Sequence, residues 1–141
     1  MSTLLSAITA SATGLDVQRA RMEVAVSNIA NAETTRSEHG EPYRRREVVL
    51  ESVPADGRMA AGDVQAAGVR VAAVLADTGN FRRIYQPSHP DADADGFVAM
   101  PSVDVPEEMV DMLGAARAYQ ANLTAIGLIR DTIQKALELA K

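Results

Sequence analysis

Residues 107–141 read EEMVDMLGAARAYQANLTAIGLIRDTIQKALELAK, and this stretch decides the fold. Its apolar residues fall at Met109, Met112, Ala116, Tyr119, Leu123, Ile126, Ile133, Leu137 and Ala140. The steps alternate between three and four, with Arg130 filling the one gap. That is a heptad seam. Met109, Ala116, Leu123, Arg130 and Leu137 form one line, and Met112, Tyr119, Ile126, Ile133 and Ala140 form the next. Leu113, Ala115, Ile129 and Ala136 widen the stripe beyond what one partner helix covers, so more than one neighbour is expected. Pro106 suits a first helical turn, and Glu107 and Glu108 suit the positive end of the helix dipole. The spacing predicts one long helix over 107–141.

The start of the chain mirrors this pattern. Leu5, Ile8, Ala12, Leu15, Met22, Val26 and Ile29 keep the same rhythm, interrupted once at Arg19. Asp16 and Glu23 lie within one turn of Arg19 and can neutralise it. Gly14 costs the helix about 1 kcal/mol relative to alanine. Asn28 and Asn31 are poor helix interior and good helix ends, which closes the element near residue 33. The two ends are therefore matched heptad helices with an insert between them. Pattern alone leaves two readings open: a helical hairpin burying its own core, or an assembling coiled coil.

The insert changes texture at Thr34. Residues 43–52 (YRRREVVLES) read as a strand. Residues 68–75 (GVRVAAVL) read as a second, with Val69, Val71, Ala73 and Leu75 on one face. Residues 81–85 and 97–100 are two further short strands. Asp56-Gly57 and Gly62-Asp63 bound a loop or hairpin connection. The expected fold class is mainly α with a small antiparallel β insert, the terminal helices pairing as an antiparallel coiled coil. The corresponding divisions are 1–34, 35–106 and 107–141. A sheet this small is marginal unless it packs on something else.

Composition narrows the function. The 141 residues carry a formal net charge of -5, with only 4% aromatics and no cysteine. An acidic chain lacks the basic face of a general nucleic-acid binder. Disulfides, thiolate metal sites and cysteine nucleophiles are excluded. No run approaches the ~20 apolar residues of a membrane span. Residues 1–15 put no Lys or Arg ahead of the apolar residues, so a cleaved secretory signal is not expected.

Three clusters invite a chemical reading. Asp91-Ala92-Asp93-Ala94-Asp95-Gly96 matches the first half of a calcium-binding EF-hand loop. Its twelfth position, however, is Ser102 where a bidentate Glu is needed, and Pro87 and Pro90 break any entering helix. It reads as a solvated acidic turn. His39 and His89 stand in no metal-ligand or nucleophile spacing. Arg44, Arg45 and Arg46 lie among Glu41, Glu47 and Glu51 and read as a solvated, ion-paired strand edge. No catalytic, cofactor-binding or metal residue is expected, and the chain does not read as an enzyme.

Specific strings then point to a family. Asn28-Ile29-Ala30-Asn31-Ala32, followed by Thr34-Thr35-Arg36, Gly40 and Pro42-Tyr43-Arg44-Arg45, resembles the N-terminal signature of the bacterial flagellar rod, hook and hook-associated axial proteins. Residues 85–101 (YQPSHPDADADGFVAMP), Glu107-Glu108-Met109-Val110-Asp111-Met112 and Ala116-Arg117-Ala118-Tyr119-Gln120-Ala121-Asn122 resemble the proximal-rod members. The resemblance covers essentially the whole chain, with Ser102-Val103 standing where the family usually has Asn-Val.

The resemblance implies a structural subunit of the flagellar basal-body rod. It implies export through the flagellar type III apparatus without signal cleavage, and polymerisation in the periplasm into a shaft that transmits torque. The implied partners are other rod subunits, proximal and distal, basal-body ring and rod-adaptor proteins, and the export apparatus with its chaperone. No nucleic acid and no membrane insertion are implied. The assembly residues it designates, with the seam, are Asn28, Ile29, Asn31, Met109, Met112, Tyr119, Gln120, Asn122, Leu123, Ile126, Arg130, Ile133 and Leu137. A stand-alone helical adaptor is the alternative, since it shares the heptads. Two further expectations follow from the seam. Arg130 has no acid three or four residues to either side and, lying near residue 9 or 10 of the first helix, should meet an acidic group or carbonyl ends of another subunit. The terminal helices should order fully only on assembly, because one narrow seam buries little against the cost of ordering two long helices.

Overall fold

The computed structural model describes residues 2–38, 40–54 and 68–139. His39, Ala140 and the expected connection at Asp56-Gly57 and Gly62-Asp63 lie outside these described residues. The order is α1 (Ser2–Ala30), β1 (Arg46–Val53), β2 (Gly68–Ala76), β3 (Arg82–Tyr85), β4 (Phe97–Met100) and α2 (Val105–Leu139). The expected class holds: two long terminal helices enclose a small antiparallel β region. The β region is two separate two-stranded ribbons, β1–β2 and β3–β4, in place of one sheet.

The helices run antiparallel. Asn28 meets Glu108, and Gly14 lies against Asn122. Going back from Asn28 to Gly14 and forward from Glu108 to Asn122 covers the same two heptads. This register sets Arg130 opposite the region of residue 6, a little beyond the expected residues 9–10. Gly14 is buried against the Asn122 side chain: a Cβ there would stand 2.8 Å from the Asn122 amide nitrogen, so that amide would have to shift.

Asn31 ends α1. Its backbone N–H and side-chain amide both donate to the Ser27 carbonyl, at 3.1 and 2.9 Å. Asn28 sits inside the helix and is no cap. At the other end Asp104 precedes the first turn of α2, and its carbonyl accepts the Glu108 N–H at 3.0 Å.

The β1–β2 ribbon lies along α1, held at both ends. At its base Arg46 is bonded to Asn28 through its own backbone. Near its tip the Val69 N–H donates to the Thr13 hydroxyl at 3.1 Å, beside Gly68. The distances agree: α1 rises about 22 Å from Thr13 to Asn28, and an eight-residue strand spans about 25 Å. Ala72 has no partner on β1, because the register jumps between Val49 and Leu50. This bulge breaks the single apolar face expected for Val69, Val71, Ala73 and Leu75. Leu50, Val74 and Leu75 are exposed.

The intrachain seam needs correcting. Glu108 and Ala115 are the buried residues of α2 among those described. They continue through the half-buried Asn122 and Ile129, alternating with half-buried Met112, Tyr119, Ile126 and Ile133. So the line of Met112, Tyr119, Ile126 and Ile133 does face inward. Its companion is the line one residue earlier than expected. Met109, Ala116, Leu123, Arg130 and Leu137 all face outward. The same offset appears on α1, where Gly14, Val17, Ala25 and Asn28 are buried while Leu5, Ala12, Arg19 and Val26 are exposed. Small residues at Gly14, Ala25 and Ala115 let the backbones approach, while Met109, Leu123 and Leu137 of the displaced line are left outside.

Candidate functional site: a polar junction and an outward aliphatic line

The deepest contacts lie where α1 ends, β1 begins and α2 starts. Asn28 is fully buried and makes all four hydrogen bonds open to its side chain. Its Nδ2 donates to the Arg46 carbonyl at 2.9 Å and to Glu108 Oε2 at 2.9 Å. Its Oδ1 accepts the Arg46 N–H at 2.9 Å and the Tyr43 hydroxyl at 2.8 Å. With that proton committed to Asn28, the Tyr43 oxygen accepts from Ser27 at 3.3 Å.

Glu108 is 2% exposed. Its second oxygen accepts from Arg45 Nε at 2.6 Å, a charge-assisted bond across 63 residues of chain. Burial alone would lower the Arg45 pKa; the bond to Glu108 and the charges of Glu108, Glu107 and Glu47 outweigh it and raise it. Beside this network Ala32, Tyr43, Val103 and Val105 form an apolar cluster. No buried side-chain polar atom among the described residues lacks a partner. A buried network of this kind is stabilising because it is complete.

The arginine run is thus not a uniform solvated edge. Arg44 does pair with Glu41 at 3.4 Å, and it also covers the Phe81 ring at 4.4 Å. Arg45 turns inward to Glu108. Arg46 lies 5.7 Å from the centre of the Tyr43 ring. Arg19 pairs with Glu23 as its spacing implies, in an exposed bridge of small energetic weight.

The acidic turn closes the β3–β4 ribbon, and its carboxylates have separate uses. Asp91 accepts from the Thr35 hydroxyl at 2.8 Å and faces Arg36 at 3.7 Å, tying the turn to the segment after α1. Asp93 accepts the backbone N–H groups of Phe97 at 2.8 Å and Asp95 at 3.0 Å and pairs with Arg83. Gly96 takes φ +80°, and a Cβ there would meet the Tyr85 ring at 2.9 Å. The Tyr85 and Phe97 rings meet edge to face at 5.3 Å.

The Phe97 amide above all, opposed by desolvation and helped by Arg83 and the Asp95 amide, holds the Asp93 carboxyl below its ordinary value. A carboxyl with a lowered folded pKa stabilises fully above its unfolded value of about 4. That contribution fades as pH falls through the lower folded value. In an NMR titration the Asp95 and Phe97 amide shifts should stay constant above pH 5. They should move only below the ordinary carboxylate value. A midpoint at or above 4 sinks the assignment.

The expected assembly residues separate into two sets. Asn28 is buried in the junction. Ile29, Asn31, Met112, Tyr119, Asn122, Ile126 and Ile133 are half-buried. Met109, Gln120, Leu123, Arg130 and Leu137 are exposed, with Met109 and Leu123 each at 48% and Leu137 at 54%. Arg130 therefore bears no burial cost within the chain, which removes the reason first given for its needing a partner. Tyr43, Arg45 and Glu108 are members of the junction that the heptad pattern did not single out. Their signal in the sequence is that all three fall within the strings that resemble the rod family.

Comparison with known proteins places these features. The profile of the family described as "Flagellar basal body rod FlgEFG protein C-terminal" matches residues 94–139, from the acidic turn through α2. The flagellar basal-body rod protein FlgC of Bacillus subtilis is 38% identical, over 99% of this chain and 99% of its own length. The FlgC proteins of Salmonella typhimurium and Aquifex aeolicus are each 36% identical, covering 98% and 100% of this chain.

Proposed function

This chain belongs to the FlgC family of flagellar basal-body rod proteins, and from that premise we propose how it does its work as a structural subunit of the rod. It assembles with other rod components in the flagellar basal body. The exposed aliphatic line of α2, running through Met109, Ala116, Leu123 and Leu137, is the surface that neighbouring subunits cover. The observation carrying this reading is the exposed aliphatic line itself: Met109, Leu123 and Leu137 stay in solvent while the line through Glu108, Ala115 and Asn122 takes the inside. A self-sufficient adaptor would bury those aliphatics against itself.

The finer parts of the reading concern partners, location and chemistry. Its partners are the proximal and distal rod subunits and the basal-body ring and rod-adaptor proteins. The chain reaches the periplasm through the flagellar export apparatus, with a chaperone, and without signal cleavage. Among the described residues no helix is long and apolar enough to cross a membrane. The role is mechanical and not enzymatic: the packed shaft carries torque.

Complementation of a strain deleted for its own gene tests the reading. The deletion should abolish swimming and leave basal bodies without a complete rod in electron micrographs. The intact chain should restore both. Leu123→Asp should fold normally, since exposed helix substitutions change stability by about 0.5 kcal/mol or less. It should fail to restore rods, because assembly would bury the new charge. Normal swimming with Leu123→Asp removes the outward line from the interface. Normal rods in the deletion strain would return the adaptor reading.

A further inference from the structure

Two adjacent lines on α2 compete for the inside of the hairpin. The aliphatic one runs through Met109, Ala116 and Leu123. The other, one residue earlier, runs through Glu108, Ala115 and Asn122. Hydrophobic burial by itself favours the first. The molecule buries the second: Ala115 is 0% exposed, and Ala116 beside it is exposed. We propose that Asn28 and Glu108, saturated by Tyr43, Arg45 and Arg46, are positioning residues that select which face of each terminal helix turns inward, and so keep the aliphatic lines outward.

Three observations carry this. First, the selector spans three elements. Turning α2 by one residue, about 100°, withdraws Glu108 from both Asn28 and Arg45. Turning α1 by the same amount withdraws Asn28 from both backbone groups of Arg46, at the base of the ribbon. Second, the choice is repeated two heptads away. The Asn122 side chain packs directly over the buried Gly14, so the same earlier line faces α1 there. Third, a run of small residues alone specifies rotation weakly, whereas a buried polar pair tolerates one arrangement. The use of the outward line rests on the subunit reading above; the selection of the face does not.

The chain has no cysteine, so single thiols report the face directly. Ala115→Cys and Ala116→Cys are made separately in the full chain and their maleimide labelling rates compared. Fraying exposes both equally, so the ratio reads rotation and not stability. The thiol at position 116 should react at least tenfold faster than that at 115. Adding Tyr43→Phe, which removes one bond to Asn28, should shrink that ratio several-fold with helical circular dichroism unchanged. Adding Asn28→Leu with Glu108→Leu should invert it. Should the leucine pair lose its helix, Tyr43→Phe decides alone. A ratio unmoved by Tyr43→Phe overturns the proposal, as do equal rates in the otherwise unaltered chain. An intact, responsive ratio in a chain that fails to restore swimming upholds the selector and counts against the subunit reading.

Discussion

Glu108→Ala should lower the unfolding free energy by about 3 kcal/mol, among the largest effects open to a single substitution in this chain. The loss comes from what the carboxylate leaves behind. Asn28 is fully buried and would hold an amide N–H with no acceptor. Arg45 is partly exposed and can turn toward water or Asp111, so its share is smaller. Glu108→Gln keeps an acceptor for Asn28 and should cost about half as much, since the charged bond to Arg45 weakens. Removing both members, Asn28→Leu with Glu108→Leu, should cost less than the two single changes together, because the bond they share is lost only once and neither strands the other, although Arg46, Tyr43 and Arg45 still lose their partners. Urea denaturation followed by circular dichroism measures all four. A loss below 1 kcal/mol for Glu108→Ala would mean that the junction is not what closes the hairpin.

Amide exchange on dilute monomer should show a gradient along both helices, steepest in the outer halves. Residues 24–30 and 106–116 flank the junction. They should exchange at least a hundredfold more slowly than residues 2–12 and 124–139, as local stability varies from near zero at frayed ends to the global value in the core. The reason is burial. Past Ala115, α2 has no fully buried residue among those described. Ordering each residue there costs about 1–2 kcal/mol, and half-buried contacts at roughly 25 cal/mol per Å² do not meet it. This refines the expectation of disorder along the whole of both helices, since the junction holds the near halves. In assembled rods the outer halves should become protected. Uniform protection of 2–30 and 105–139 in a verified monomer would contradict the coupling of folding to assembly.

That coupling suits an exported, polymerising subunit. A chain whose outer helix halves stay open has unfinished interfaces at low concentration. On the proposed interface neighbours would finish them, and the outward Leu123 and Leu137, exposed in the single chain, would bury their apolar area there.

The elements themselves were legible in the amino-acid order. Heptad spacing located both helices, and β-branched runs bounded by turn residues located four strands within a few residues of their observed limits. Missing ligand positions argued against a calcium loop at Asp91–Asp95, and the residues there serve turn and tethering contacts instead. The junction was not legible. Glu108 looked like a helix-dipole acid, Asn28 like a helix end, and Arg45 like one of three solvated arginines. Each has an ordinary local reading, and nothing local reveals that they meet.

What the sequence by itself determined was how much of each helix must be covered, and with what period. Apolar spacing reports which side chains leave water. It does not report whether the cover comes from the same chain or from another. The tertiary structure decided which line the chain covers for itself. A saturated polar contact between residues 28 and 108, closed by Arg45 from the strand between, turns the smaller line inward and leaves the more apolar line free. The physical reason is that a buried amide and carboxylate tolerate one geometry, while aliphatic surface accepts any partner that excludes water.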